Sequence, residues 1–213
     1  MTMTSALRRF TVTTHVTSSV GWLGAVLVFV ALAGIGLASQ NERVVRGAYL
    51  LMAPAAWFVL VPLAHASLLS GVVLSLGTAW GLFRHYWVAI KLALTAFATV
   101  ILLVYMSTFR EMAGVAADPA IELGLVRNPS PLVHAILALL LLAVATVLAI
   151  YKPFGMTPYG ARRLEIERAP GDTAGIANAS TNFGWFRLAG FLMIVLLLAL
   201  VLAHHLAGDR MHH

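Results

Sequence analysis

The sequence predicts an all-α integral membrane protein: a four-helix transmembrane bundle followed by a fifth, tethered transmembrane helix. Three observations carry that prediction. Hydrophobic residues make up 61% of the 213 positions and charged residues 10%, against roughly 25% charged in a soluble domain. The mean hydropathy is +0.91. Five stretches are also long and apolar enough to span a bilayer, which takes about 20 residues in a helix.

The first stretch is 12–37. Arg8 and Arg9 precede it, but its apolar core is long for a signal peptide and Thr14, His15, Thr17, Ser18 and Ser19 open it. It therefore reads as a spanning helix rather than a cleaved leader. The second, 47–75, contains Pro54 and Pro62. In a membrane these kink a helix rather than end it, since neighbours satisfy the freed carbonyls. The third is 85–108, the fourth 132–151 and the fifth 185–207. Two connections are long. Residues 109–131 hold three prolines and three acids, and 152–184 end in a Gly/Ala/Asn/Ser/Thr-rich run. The second half of that connection reads as a flexible linker, with "ARRLEIER" as a short amphipathic surface helix. The expected domains are thus a four-helix core over 1–155, a cytoplasmic linker over 156–184, and a fifth helix with a short outer tail over 185–213.

Basic residues set the orientation. With the N-terminus inside, nine lysines and arginines fall on the cytoplasmic side and five outside. This predicts a multi-pass protein of the bacterial cytoplasmic (inner) membrane, N-terminus in and C-terminus out. Trp80, Tyr86, Trp87, Tyr151 and Trp185 flank the expected boundaries, as interfacial aromatics do. The formal charge of +6 belongs to this asymmetry, and no nucleic-acid partner is expected. With no cysteine, thiolate chemistry and disulfides are excluded. There is no phosphate loop, no Ser-His-Asp spacing and no carboxylate within a span, which disfavours a proton-coupled carrier.

Polar groups within a span are costly and therefore functional candidates. His65 falls about 6 Å inward of the midplane, Lys91 about 8 Å and His15 about 14 Å, at about 1.5 Å per residue. Helical spacing puts His15, Ser18, Ser19 and Trp22 on one face of the first helix. Pro54, Trp57, Val61 and His65 share a face of the second, and Lys91, Thr95 and Thr99 one of the third. Turned together, these faces would form a pocket with apolar walls and a few convergent polar groups. Plainer roles stand beside that one. His15 could cap a first turn, Lys91 could snorkel toward the cytoplasm, and His65 could bond a serine or a carbonyl freed by Pro62. On the outer half, His134 and His204 are weaker candidates for binding a metal such as copper. The small-residue pairs Gly21 with Ala25 and Gly34 with Ala38 read as helix packing.

Three stretches carry a family resemblance: "HVTSSVGWLGAV" (15–26), "VRGAYLLMAPAAWF" (45–58) and "RHYWVAIKLALTAF" (84–97). In this order they resemble small bacterial membrane proteins related to the copper-resistance D type and to the membrane-type (HemJ) protoporphyrinogen IX oxidases. The nearest likeness is to a subset described only as predicted integral membrane proteins. The resemblance covers about residues 10–155 and implies a heme-associated four-helix bundle. The family's first-helix histidine and third-helix lysine would fall on His15 and Lys91; together with the depths above, this gives heme b or a related tetrapyrrole with His15 and His65 as ligands, Lys91 on a propionate, and Trp22 and Trp57 against the macrocycle. It further implies porphyrinogen oxidation with a quinone or another membrane redox partner as electron acceptor. One departure counts against the oxidase: the late third helix carries Tyr105 where the family pattern gives a histidine. A cofactor-free structural or accessory subunit is the alternative.

Overall fold

A computed structural model describes residues 3–78, 81–153 and 155–167. The expected fifth helix and most of the linker lie outside the described residues. Four helical rods in this part are long and apolar enough to cross a membrane. They are α1 (Ser5–Ala38), a second rod made of α2 (Glu42–Ala55), a π-helical turn (Ala56–Leu60) and α3 (Val61–Gly77), then α4 (Tyr86–Ala117) and α5 (Ser130–Tyr151). A short α6 (Pro158–Glu167) follows and matches the expected surface helix.

Local chemistry sets the ends. Thr4 caps α1, its hydroxyl accepting from the Leu7 amide at 3.4 Å, and Asn41 caps α2 by accepting from the Arg43 amide at 3.1 Å. α4 runs past its expected end at 108 because no breaker intervenes until Asp118-Pro119, where the proline disfavours a helical conformation before it. α5 begins with Pro131 in its first turn, where the missing N–H costs nothing. It stops at Lys152, which takes a left-handed conformation with φ 45° ahead of Pro153.

The prolines of the second rod do not end it, as the sequence predicts. Pro54 and Pro62 each remove an i→i−4 donor, and the chain between them rewinds: the Val61 amide donates to Ala56 O, one residue further back than in an α-helix. The rod continues through both prolines without a break.

Each rod packs on its chain neighbours, and α5 closes the ring against α1, giving an up-down-up-down four-helix bundle. The interior is apolar: Tyr49, Met52, Met112 and Val45 are nearly inaccessible. The outside is apolar too, with Val20, Phe58, Leu69, Val104 and Ile150 all exposed. An apolar exterior on four such helices suits lipid, not water.

Two close approaches fix the packing. A Cβ on Gly36 would stand 2.8 Å from Tyr49 Cζ, so α1 and α2 meet there through a glycine, and one on Gly21 would stand 3.3 Å from Leu63 Cδ2. Gly34, by contrast, faces open space. The α1–α2 contact therefore falls two residues from the expected pair.

Outside the rods, Arg46 ties the 118–121 turn to α2. Its guanidinium donates to Glu42 Oε1 at 2.7 Å, to Asp118 O at 2.8 Å and to Ile121 O at 2.9 Å. It also reaches Val115 O at 3.2 Å, so it caps the C-terminal end of α4. At the opposite end, Thr157 bonds Phe83 O through its hydroxyl at 2.6 Å and Arg84 O through its amide at 2.9 Å. This seats α6 beside the loop that enters α4.

Candidate functional site

The bundle holds a chamber of about 290 Å³ in the half where α1 begins. All four rods line it: His15, Ser19 and Trp22 from α1, Ser67, Gly71 and Ser75 from α3, Lys91 and Thr95 from α4, and the last turns of α5. A second chamber of about 170 Å³ shares His15, Gly71, Ser75 and Lys91 and runs outward to Arg8 at the bundle end. Among the described residues, no carboxylate lines either one.

The polar centre is built from the backbone of α3. His15 Nδ1 lies 2.9 Å from the Ser67 carbonyl and 3.1 Å from Ser70 Oγ. A carbonyl only accepts, so Nδ1 carries the proton and donates, leaving the lone pair on Nε2. Nε2 stands 3.5 Å from Lys91 Nζ, with the ammonium as donor. Gly71 leaves room for this seat, since a Cβ there would fall 3.1 Å from His15 Cε1 and crowd the ring. Ser19 and Ser67 join their hydroxyls at 2.7 Å beneath the ring. Ser18 turns its hydroxyl back to Thr14 O at 2.7 Å, the usual way a buried serine is satisfied in a helix. The first-helix face expected from spacing is present in part: His15, Ser19 and Trp22 line the chamber together, while Ser18 is buried without lining it. The third-helix face is present in part, for Lys91 and Thr95 line it while Thr99 is buried elsewhere.

The second rod presents a different face from the one expected. His65 Nδ1 donates to Val61 O of its own helix at 2.8 Å, and Trp57 is 46% exposed. Neither residue is among those lining the chamber with His15 and Lys91. In their place stand Ser67, Gly71 and Ser75, spaced i, i+4, i+8. That stripe of small and polar residues parallels the Lys91-Thr95 stripe and is the signal that marks the face.

Trp22 is buried and closes the chamber toward the other half of the bundle, where it also lines an apolar space of about 70 Å³. There Tyr105 bonds Ser130 Oγ at 2.8 Å, and His134 Nδ1 meets Ser130 O at 2.8 Å. The Tyr105 and His134 rings lie 4.5 Å apart. The late-third-helix position that the resemblance gives to histidine is thus tyrosine, and an imidazole stands against it from α5. Among the described residues, no three His, Asp or Glu side chains come together as a metal-binding group. His204 lies outside the described residues.

No family model, curated protein or solved structure matches this chain.

Proposed function

We propose that the chain is a multi-pass protein of the bacterial cytoplasmic membrane, N-terminus inside, that holds heme b or a related tetrapyrrole in the chamber around His15. One observation carries this reading: an imidazole with its proton fixed on Nδ1 offers a lone pair on Nε2, beside an ammonium, within apolar walls. A metal-ligating histidine is typically oriented this way, its other nitrogen donating to a carbonyl. The donor set suits the group. His15 would ligate the metal, Lys91 would neutralise a propionate, and Trp22 would pack on the macrocycle. At about 290 Å³ the chamber stands at the lower edge of small-molecule sites, which run from about 300 to 1,000 Å³, and the adjoining chamber extends it. A bound iron tetrapyrrole supplies one-electron chemistry. The chain supplies ligation, charge and exclusion of water. His65 and Trp57 have no part in this version of the site.

The test is the absorption spectrum of the detergent-purified protein loaded with hemin. A Soret band lost in His15→Ala and kept in His65→Ala supports the proposal. No band, or one that survives His15→Ala, overturns it.

A second reading rests on the same contacts. Both nitrogens of His15 already have protein partners, so the pair is self-sufficient as a polar clasp between α1, α3 and α4. As a cofactor-free accessory subunit, the protein would lose stability in Lys91→Met and show no spectral change with hemin.

A further inference from the structure

We infer that the chamber opens sideways to the bilayer between α1 and α5, and that its ligand enters from the lipid rather than from water. The inference deepens the tetrapyrrole reading and rests on it for the identity of the ligand. The exposed residues among those lining the chamber are Val16 (54%), Val20 (65%), Ile150 (69%) and Thr146. All four belong to α1 or α5. The lining residues of α3 and α4 are buried or half-buried, with none exposed. A residue that both lines a cavity and is exposed marks where the cavity meets the outside. The opening is therefore a slot between the middle of α1 and the last turns of α5, flanked mainly by β-branched aliphatic side chains.

The adjoining chamber ends differently. Its exposed lining residues are Arg8 and Val12, near the start of α1, so its mouth carries a cation. An aliphatic slot at the side and cations at Arg8 and Lys91 select one chemical class: an amphipath with an apolar body that dissolves in lipid and an anionic head. A tetrapyrrole carboxylic acid fits that class, whereas a hydrophilic anion has no reason to use the slot. Cargo of this kind partitions into membranes before it meets protein, because burying apolar area is favourable in either place.

The sequence makes a clean test possible, since it has no cysteine. The full chain carrying Thr95→Cys, labelled with a nitroxide, is reconstituted in phosphatidylcholine/phosphatidylglycerol vesicles. Collision with oxygen, which concentrates in lipid, is compared with collision with the water-soluble nickel chelate NiEDDA. The slot is then filled with Val20→Trp and Ile150→Trp. Val28→Trp serves as the control, because Val28 is exposed on α1 without lining the chamber. The filled slot is expected to cut oxygen access to the label at least threefold, with the control unchanged. In unlabelled chains without the Thr95→Cys change, in vesicles of the same composition preloaded with hemin, the filled slot is expected to slow the rise of the Soret band about tenfold. Oxygen access equal in filled and open chains, or NiEDDA access exceeding oxygen access, overturns the slot. A wild-type chain that takes up no hemin while oxygen access falls as expected overturns the tetrapyrrole reading and leaves the slot standing.

Discussion

Gly71→Ala tests the construction of the site more sharply than removal of His15 does. The new Cβ would sit 3.1 Å from His15 Cε1 and 3.5 Å from Nδ1, where carbon contacts are best at about 3.5–4.0 Å. The ring must retreat by about 0.4 Å to restore that separation. It is pinned on the α3 side by the 2.9 Å bond to Ser67 O and the 3.1 Å contact with Ser70. A retreat of that size lengthens the Ser67 bond to as much as about 3.3 Å, just past the limit of about 3.2 Å for a good N–H···O geometry. A weakened bond costs up to about 1 kcal/mol, while alanine in a helix interior regains about 0.5–1 kcal/mol over glycine. The two nearly cancel, so the fold should hold while the site changes. The assay is the ring 15N spectrum of labelled protein, with the His15 signals assigned by loss in His15→Asn. The wild type should show the Nδ1–H tautomer. Gly71→Ala should shift toward a mixture and bind hemin several-fold more weakly, with a melting temperature close to wild type. Unchanged His15 signals in Gly71→Ala would refute the seating of the ring on α3.

Other substitutions probe the frame. Gly36→Ala drives a methyl into Tyr49, which is 1% exposed. It should destabilise by about 1–3 kcal/mol in detergent melts, whereas Gly34→Ala, facing open space, should be neutral or slightly stabilising. Arg46→Ala removes a guanidinium that is 13% exposed and caps α4 while bonding the 118–121 turn. It should cost about 2–3 kcal/mol, since hydrogen bonds from charged groups are worth about 1.5–3 kcal/mol. Glu42→Ala should cost under about 1 kcal/mol, its carboxylate being 65% exposed. Tyr105→Phe removes the 2.8 Å bond to Ser130 Oγ, which keeps its 3.3 Å contact with His134 Nδ1, and should cost about 1 kcal/mol, with no effect on hemin binding at His15.

The rods were legible because their signal is one-dimensional. Length and hydropathy alone find α1, α4, α5 and the paired α2–α3 rod, and the prolines inside it read as interruptions that do not end it, though not as the π turn found between them. Boundaries drifted where charged residues interrupt the apolar run without ending the helix: Ser5 to Thr11, with Arg8 and Arg9, extend α1, and Phe109 to Ala117, with Arg110 and Glu111, extend α4. Hydropathy falls at those charges, but helix propensity carries α4 on to Asp118-Pro119. The Arg46 clasp was not legible either. Five of its acceptors are backbone carbonyls around the end of α4, and a sequence gives no sign of where carbonyls converge.

His65 shows why the site was only partly readable. Depth follows from position along the helix, so His15, His65 and Lys91 could be placed at related levels from spacing alone. Direction around the helix has to be known separately for each rod, and there the eye goes to the residue least expected in lipid. His65 and Ser67 differ by two positions, about 200° around an α-helix, so they cannot serve one chamber. The rod turns toward α1 the face with Gly71, where the lack of a Cβ leaves an imidazole from α1 unhindered as it bonds a carbonyl of α3. His65 is satisfied without any partner rod, by Val61 of its own helix. A histidine that meets its own needs locally exerts no pull on how helices turn. One that needs a neighbour's carbonyl does, and His15 is that residue here. The site is therefore marked less by the conspicuous histidine than by the small residues, Ser67, Gly71 and Ser75, that clear a space for the other one.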